Sequence, residues 1–302
     1  MPRRPQVDDA AATEDTARRM TFTWFPGHML AARTKAAETM HLTDLVIEVL
    51  DARVPLSSCN PTIESLRRAG QKPALKLLNK ADLADAEQTR PWLKHYSAES
   101  GVQGLAVNAK KASDVDRILP ACRALRPDRG TPAKPLRMMI LGIPNVGKST
   151  LMNALLKRSL ARVGDEPAIT KVQMLHKLGP DLVLIDTPGM SWPAMQQETA
   201  MKLAATHSIG RAAYDEQDVA LSLGRILLRR YPALLAARFG TFARPCDEHG
   251  LLAFIATSRH LVKAGAPDLA RAATTLLNDF RSGALGRITL ERVEDEGPAT
   301  RG

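Results

Sequence analysis

Several short polar motifs constrain the fold of this chain more than any other feature, because of the order in which they occur. Residues 142–149 (Gly-Ile-Pro-Asn-Val-Gly-Lys-Ser) form a glycine-rich segment between the apolar run 136–141 and the helix-like segment 150–160. Residues 79–82 (Asn-Lys-Ala-Asp) lie upstream of that segment, and residues 186–189 (Asp-Thr-Pro-Gly) lie downstream. Both the presence of these motifs and their order along the chain need an explanation.

The glycine-rich segment has the composition of a phosphate-binding loop. Gly142 and Gly147 allow backbone N–H groups to surround anionic oxygens, Lys148 can reach the outer phosphates, and the Ser149 hydroxyl can hold Mg²⁺. The flanking strand and helix would place the phosphates at a helix N-terminus, which argues against a chance glycine-rich turn. The residues of this loop predicted to contact a nucleotide are Asn145, Val146, Gly147, Lys148, Ser149 and Thr150.

Residues 79–82 have the composition of a guanine-recognition motif. The Asp82 carboxylate can accept hydrogen bonds from N1–H and the N2 amino group of guanine, and adenine cannot supply this pair. A buried polar group left unpaired by the wrong base gives a discrimination of about 10⁴. Helix capping is the alternative for this tetrapeptide alone. The residues predicted to bind the base are Asn79, Lys80 and Asp82, together with Asn108, Ala109 and Lys110, which can offer a backbone N–H to the guanine oxygen.

The downstream motif completes a predicted GTP site with bound Mg²⁺. The Asp186 carboxylate can orient Mg²⁺ through water, and the Gly189 N–H can touch the γ-phosphate. Thr170 lies between Gly147 and Asp186, so it is the candidate switch hydroxyl for Mg²⁺, with an ordinary loop threonine as the alternative. In an ordinary GTPase the phosphate loop comes first and the guanine motif near the end. The order found here therefore implies a circular permutation.

The group that positions the attacking water is not at its usual place. Many G proteins have Gln directly after the glycine of the third motif, but Met190 follows Gly189 here, and a thioether is unsuited to that task. His28, in a Pro-Gly turn beside aromatic residues, is the candidate on chemical grounds, and a turn or interface histidine is the alternative. The predicted catalytic residues are His28, Lys148 and Thr170.

Apolar runs alternate with amphipathic segments up to about residue 190. Strands are predicted at 45–50, 74–78, 105–107, 136–141 and 182–185. Helices are predicted at 30–42, 60–70, 83–97 and 113–125. This alternation predicts an α/β domain in which helices cover both faces of a mostly parallel sheet. The Pro- and Gly-rich stretch 127–135 is predicted to link the former termini of the permuted domain.

Beyond about residue 194 the strand pattern disappears. Amphipathic helices are predicted at 196–209, 216–231, 249–264 and 267–282. Gly265 and Gly283 are predicted to lie at helix ends. We therefore expect a disordered leader at 1–20, a permuted GTP-binding domain at 21–193, an all-helical domain at 194–292 and a disordered tail at 293–302.

Composition narrows the classes of function. The 302 residues are 44% hydrophobic and 25% charged, with no apolar run near the ~20 residues that cross a bilayer. The net charge of +10 favours a polyanionic partner, and residues 20–190 hold most of it, with 24 basic against 16 acidic side chains. Cysteines 59, 122 and 246 have no zinc or disulfide spacing, which fits a reducing cytoplasm. The mixed charges of the first twenty residues do not suit a signal peptide.

The chain resembles the circularly permuted GTPases of the ribosome biogenesis GTPase A family in residues 24–29, 49–55, 79–83, 142–150 and 186–189. The stretch 267–291 is similar to that family's helical tail domain, so the resemblance covers about residues 22–290. It implies a GTPase that binds the maturing large (50S) ribosomal subunit, contacts rRNA and ribosomal proteins, promotes a late assembly step and is stimulated by the subunit. It also implies that His28 takes part in catalysis and that Asn145 helps to bind K⁺. The sequence departs from the family at Ala168, where relatives usually have Gly, and in its longer leader.

Two other functions are compatible with some features of this pattern. A GTP-regulated RNA-binding scaffold, in which hydrolysis is incidental, would fit Met190 and the basic charge. A P-loop kinase for a small molecule would have no use for Asn79 and Asp82. Relatives that act on the small subunit carry an added zinc-binding or OB-like domain, which the cysteine count and the leader do not support. The expected protein is cytoplasmic and monomeric and has no membrane partner.

Overall fold

A six-stranded sheet forms the centre of the N-terminal two thirds of the chain, in the order β3-β2-β1-β4-β6-β5. The computed structural model describes residues 26–163, 175–187, 192, 195–241 and 246–295, without the side chains of 26–33 and 158–163. The strands are β1 (Leu45–Asp51), β2 (Ala74–Asn79), β3 (Val102–Ala106), β4 (Leu136–Leu141), β5 (Leu175–Lys177) and β6 (Leu182–Asp186). Neighbouring strands are parallel, except that β5 runs antiparallel to β6. The predicted mostly parallel sheet is confirmed.

Helices lie between these strands and along the C-terminal third of the chain. Those that accompany the sheet are α1 (Pro26–His41), α2 (Pro55–Ser58), α3 (Pro61–Ala69), α4 (Ala86–Ser97), α5 (Ala112–Val115), α6 (Ile118–Leu125) and α7 (Lys148–Val163). The helices that follow the sheet are α8 (Gln197–Ala205), α9 (Glu216–Arg230), α10 (Pro232–Phe239), α11 (Glu248–Ser258) and α12 (Leu269–Ser282). Together these five form the helical region, residues 197–282.

Side chains alternate between two buried faces of the sheet, as the period of a strand requires. From β1, Ile47 joins a cluster that contains residues of α6 and α7, such as Leu151. Val46 of the same strand joins a second cluster with residues of α1, α3 and α4, among them Trp92. Helices therefore cover both faces, as the β-α alternation predicts.

The chain enters the sheet at its centre, and this sets the position of the motifs. From β1 it moves outward to β2 and β3, then crosses to β4 on the other side of β1 and moves outward again to β6 and β5. The connections after β1 and β4 thus leave in opposite directions, which opens a crevice at the carboxyl ends of these strands. The glycine-rich loop follows β4, and the 79–82 motif ends β2 and continues into its carboxyl-end loop.

Local capping moves several helix boundaries from their predicted places. The Asp85 side chain accepts a hydrogen bond from the Glu87 N–H, so α4 begins at Ala86, whereas the pattern predicted a start at 83. The predicted helix 113–125 is divided into α5 and α6. Helix α1 begins at Pro26, four residues before its predicted start, with Pro in a position that suits the first helical turn. These predictions were wrong at the helix boundaries, and the elements themselves are present.

Two strand predictions were also wrong in detail. Strand β3 covers Val102–Ala106, and the prediction at 105–107 missed its first half because Gly104 interrupts the apolar run. Strand β5 was not predicted, since it has only three residues and carries no apolar run.

The C-terminal helices pack around α9, which contacts α8, α10, α11 and α12. Helix α12 shows why they assemble: its buried residues, from Ala272 through Leu276 to Phe280, recur at helical spacing and form one apolar stripe. The Asp268 side chain caps the start of α12, and Gly283, with φ of +82°, ends it as predicted. The described residues include no helix that is long and apolar enough to span a bilayer.

Three features of the helical region differ from prediction. The predicted helix 249–264 ends at Ser258, and a two-stranded hairpin, β7 (Val262–Lys263) and β8 (Ala266–Pro267), follows. Gly265, with φ of +80°, therefore lies in the hairpin turn and does not end a helix. Helix α10 was not predicted, because it starts at Pro232, directly after the predicted helix 216–231.

After α12 the chain returns to the carboxyl edge of the sheet. The Ile288 N–H donates to the Leu83 carbonyl at 3.0 Å, and the Leu290 N–H donates to the Arg53 carbonyl at 2.7 Å. The buried Glu291 carboxylate accepts the Leu56 N–H at 2.7 Å. Segment 288–291 therefore fastens the helical region to the loops that follow β1 and β2.

Candidate nucleotide-binding site

One buried side chain, that of Asn79, joins three of the predicted motifs. Its Nδ2 donates to the Val146 carbonyl of the phosphate loop at 2.8 Å. Its Oδ1 accepts the Ala109 N–H at 3.0 Å. Asn79 ends strand β2, so parallel pairing of the sheet is what carries it to the phosphate loop, 67 residues away in sequence. Motifs separated along the chain thus form a single site.

Two glycines of the phosphate loop are required by this close approach. Gly147 has φ of +99°, and a Cβ there would lie 2.3 Å from Asn79 Nδ2. At Gly142 a Cβ would lie 2.8 Å from the Val49 carbonyl oxygen. Any side chain at either position would push the loop away from the neighbouring strands.

Lys80 ties the guanine motif to the phosphate loop and to the end of β1. Its Nζ donates to the Asn145 carbonyl and to Asp51 Oδ2, both at 2.8 Å. Asp51 also receives the guanidinium of Arg53, with Nε–Oδ1 at 2.9 Å and Nη2–Oδ2 at 2.8 Å. Burial raises the pKa of Asp51, but the charges of Arg53 and Lys80 outweigh it and hold the pKa well below its usual range. Asp51 is therefore an anion that fixes Lys80 in place.

The lysine of the phosphate loop faces the end of β6. Lys148 Nζ contacts Asp186 Oδ1 at 2.7 Å, and both side chains are largely buried. The residue that follows β6, Thr187, donates to the Ile140 carbonyl at 2.8 Å and so holds this end of β6 beside β4. The Asp186 carboxylate consequently lies at the phosphate loop, where the sequence predicted it.

Two residues of this part of the site, Ser149 and Asp186, fit a bound Mg²⁺. Ser149 lies at the start of α7, and the hydroxyl of Ser149 and the carboxylate of Asp186 are the hard oxygen donors that this cation prefers. When bound beside the phosphates of GTP, Mg²⁺ neutralises charge that develops during phosphoryl transfer.

The 108–110 loop is close to the site but uses its N–H groups internally. The Asn108 N–H donates to Asp114 Oδ2, and the Lys110 N–H donates to Asn108 Oδ1, each at 2.9 Å. The Ala109 N–H is the one that meets Asn79. A guanine oxygen would have to replace one of these acceptors to receive the predicted hydrogen bond.

A pocket of about 420 Å³ lies where these motifs meet, within the size range of ligand sites. Predicted residues that line it are Asn79, Lys80, Asp82, Asn108, Ala109, Lys110, Gly147 and Thr150. The Asp82 side chain is exposed at this pocket, as recognition of a base requires. The sequence missed a second group of lining residues, which includes His207, Arg211, Asn278 and Arg281 of the helical region. No local motif marks those four positions.

Three predicted site residues cannot be placed by their side chains. Thr170 and Gly189 lie outside the described residues, as do Met190 and the aromatic residues at 24 and 25. The His28 backbone belongs to the first turn of α1, so the expected Pro-Gly turn is replaced by a helix start, and its side chain is not among those described.

The sheet order, the phosphate loop after β4 and the guanine motif at the end of β2 define a P-loop GTPase domain in circularly permuted order. The family described as "50S ribosome-binding GTPase" matches residues 137–223, which include the phosphate loop and leave out the upstream guanine motif. Ribosome biogenesis GTPase A of Bacillus licheniformis is 37% identical over 285 residues, covering 91% of this chain and 100% of the relative. The chain belongs to the ribosome biogenesis GTPase A family and is a GTP-hydrolysing enzyme.

More distant relatives and solved structures agree with this fold. Mitochondrial ribosome-associated GTPase 1 of Bos taurus is 33% identical and covers 89% of this chain and 88% of its own length. The structure of GNP-bound YlqF from T. maritima superposes with a TM-score of 0.61 at 24% identity, covering 87% of this chain and 98% of that one. A GDP-bound YlqF structure gives a TM-score of 0.62 at 23% identity, covering 86% and 100%. At these identities the structures support the fold alone.

Proposed function

We propose that this GTPase promotes a late step in assembly of the large ribosomal subunit in the cytoplasm, acting as a monomer whose GTP hydrolysis is stimulated by the subunit. The observation that carries the proposal is the 37% identity over nearly the whole chain to relatives named ribosome biogenesis GTPase A. The net charge of +10 is of the sign that rRNA would attract.

Roles for the chain's own residues are proposed from the motifs and, for Lys148 and Asp186, from their contact in the structure. Lys148, now 2.7 Å from Asp186, would turn toward the outer phosphates when GTP binds. Ser149 and Thr170 would supply hydroxyls to Mg²⁺, and Asp186 would hold it through water. Gly189 would offer its N–H to the γ-phosphate.

Asn145 is the proposed ligand for K⁺. Its backbone has φ of +60°, and its side-chain Nδ2 donates to the His207 carbonyl at 2.8 Å. The amide group is thereby oriented so that Oδ1 remains the atom with which Asn145 can bind a cation. A positive charge beside the phosphate loop would stabilise the transition state together with Lys148.

His28 is the proposed catalytic group for the attacking water, because Met190 cannot serve. Slow basal hydrolysis is expected from an isolated chain, and ordering of His28 by the ribosomal subunit would accelerate it. The chain passes from the motif at Asp186 to α8, which begins at Gln197. GTP would order Thr170 and Gly189 and thereby fix the position of the helical region. Hydrolysis would release the helical region from that position.

The test is GTP hydrolysis in K⁺ buffer with purified large subunits, with small subunits, or without either, for the wild type, His28→Ala and the matched control His249→Ala, whose histidine is exposed. We expect strong stimulation by large subunits alone, which His28→Ala loses while it still binds them. Replacing K⁺ by Na⁺ should slow the reaction. Subunit binding without stimulation would favour the alternative, a GTP-regulated RNA-binding scaffold.

The coupling of the switch to the helical region has its own test. Large-subunit binding of Gly189→Ala is compared with that of the wild type in the presence of GDP and of a non-hydrolysable GTP analogue. We expect the wild type to bind better with the analogue and the variant to lose this preference. Equal nucleotide dependence in both proteins would refute the coupling.

A further inference from the structure

The nucleotide pocket is built by two regions of the chain, and only one of them carries the GTPase motifs. Alongside Asp82 and the 108–110 loop, the lining includes His207 and Arg211 from the segment between α8 and α9, and Asn278 from α12. The guanine-motif residues among these neighbours identify this as the base and ribose end of the site.

The segment that carries His207 and Arg211 is firmly held. Arg281 of α12 donates to the carbonyls of Ala205 at 3.0 Å and Ala204 at 2.9 Å, which are the last residues of α8. A guanidinium at this position adds hydrogen bonds to carbonyls of the helix end, including that of Ala204, which also accepts the His207 N–H, and complements the helix dipole. Helix α12 thereby fixes the segment that begins at residue 206.

The same segment is tied to the phosphate loop. The His207 backbone has φ of +65°, and its carbonyl accepts the Asn145 amide at 2.8 Å. This hydrogen bond joins the helical region to a residue beside the phosphates. The helical lining is therefore attached to the nucleotide site at more than one point.

The charge of this lining suits an anion. Basic residues that line the pocket are Arg53, Lys80, Lys110, Arg211 and Arg281, and the acidic residue is Asp82. Behind the lining, Asp51 pairs with Arg53 and Lys80, and Glu216 lies beside Arg211. Burial lowers the pKa of His207, and the nearby charges of Arg281, Arg211 and Lys80 lower it further. The pocket thus keeps the Asp82 carboxylate for the donors of guanine within a lining whose charged side chains are otherwise basic.

Arg211 and Asn278 are exposed lining residues of the helical region and are available to a ligand. The Arg211 side chain is 58% exposed, with Nε 3.4 Å from Glu216 Oε1. Asn278 is exposed on α12, whose opposite stripe is buried. A planar guanidinium can stack on a base or donate to ribose and phosphate oxygens, and a primary amide can donate and accept.

We propose that the helical region binds the guanine nucleotide directly, with Arg211 and Asn278 contacting its base and ribose end. Nucleotide release then breaks these contacts, and by linkage a bound nucleotide stabilises the docking of the helical region. This inference rests on the guanine-nucleotide site and is independent of the proposed ribosomal partner.

The test is dissociation of tritiated GDP from the full-length protein, with the equilibrium constant from calorimetry on unlabelled GDP. Arg211→Ala and Asn278→Ala should each release GDP about tenfold faster than the wild type, as expected for loss of one hydrogen bond to a charged or polar ligand. Arg211→Lys should recover some of the loss. Arg225→Ala and Thr275→Ala are the controls, because they remove similar side chains from α9 and α12 outside the pocket.

Two results would overturn the inference. One is release from both pocket variants within twofold of the controls. The other is faster release in variants whose nucleotide-free form also melts at a clearly lower temperature than that of the controls. The role of the side chains would then be structural. Asp82→Asn should lose GDP binding in either case, so failure of the helical contact remains distinct from failure of the guanine site.

Discussion

Replacement of Arg53 by Met should lower the free energy of unfolding more than the same replacement of a surface arginine. The Arg53 guanidinium is 2% exposed and makes two hydrogen bonds to Asp51, whose side chain is fully buried. It also lies 5.1 Å from the centre of the Phe280 ring and 3.5 Å from the Arg281 carbonyl. One side chain therefore joins the end of β1 to α12.

The expected cost is about 3 kcal/mol, the lower end of the range for breaking a buried ion pair, because Lys80 remains 2.8 Å from Asp51 as a second cation. Loss of the cation–π contact adds about 1 kcal/mol. In the double variant Asp51→Asn/Arg53→Met neither charge is left behind. Its cost should therefore be smaller than the sum of the single variants by about 2 kcal/mol.

Urea unfolding of the nucleotide-free protein measures these differences, with circular dichroism and tryptophan fluorescence required to give the same midpoint. Nucleotide is left out because it would add its own stabilisation. Arg90→Met is the matched control, since Arg90 is 72% exposed in a surface pair with Glu87 and should change stability by no more than about 0.5 kcal/mol. A cost below about 1 kcal/mol for Arg53→Met, or additive single variants, would refute the reasoning.

Three further outcomes are expected. Gly147→Ala should weaken GDP binding in calorimetry by about 100-fold, because its Cβ would lie 2.3 Å from Asn79 Nδ2 and φ is +99°; unchanged affinity would contradict the geometry. Glu291→Ala should lower the free energy of unfolding in urea by about 3 kcal/mol, since the N–H groups of half-buried Leu56 and buried Ser57 lose their acceptor, with Glu291→Gln losing less. Burial raises the pKa of Glu64, but Arg67 and Lys76 outweigh this effect and bring the pKa from 4.5 to about 2. The Glu64 carboxylate therefore stabilises the folded protein above pH 4.5, and this stabilisation is lost as the pH falls toward 2. The wild type should lose about 2 kcal/mol more than Glu64→Gln between pH 5 and 3, and parallel pH profiles would disprove this.

The sheet could be predicted because its determinants are local. Each apolar run of β1, β2, β4 and β6 is bounded by turn or polar residues and is largely buried, and no run contains more than one charged residue before its last position, namely Glu48, Lys76 or Arg137. The motif order in turn required a permuted connection, which the strand order confirms. The short edge strand β5 lacks such a run, so nothing in its three residues distinguishes it from a loop.

The sequence predicts a helix end at two glycines, and only one of them ends a helix. Gly265 and Gly283 both adopt positive φ, at +80° and +82°; the prediction is confirmed at Gly283 and wrong at Gly265. Which turn forms depends on the following residues and on packing: Gly283 ends a helix, and Gly265 joins two strands. A positive φ serves either purpose, so the residue type cannot decide between them.

The predicted site and the observed pocket differ for a related reason. Residues 79–82 and 142–149 are recognisable as motifs because their chemistry needs neighbours in sequence. Arg211 and Asn278 lie 67 positions apart, each in an ordinary amphipathic context, and reach the pocket only through packing of α8, α9 and α12. Contributions of this kind can be found from the fold and not from spacing.

Because of the permutation, the helical region is attached twice to the edge of the sheet where the nucleotide lies. It begins shortly after Asp186, which contacts Lys148 of the phosphate loop, and the chain returns from it through segment 288–291 to the loops that follow β1 and β2. The hydrogen bond between Asn145 and the His207 carbonyl adds a further contact between the helical region and this edge of the sheet. A displacement of the segment after α8 relative to the phosphate loop must break that hydrogen bond. In a domain with the usual motif order the chain would continue from Asp186 to further strands, so the permuted order itself is what places the helical region next to the switch.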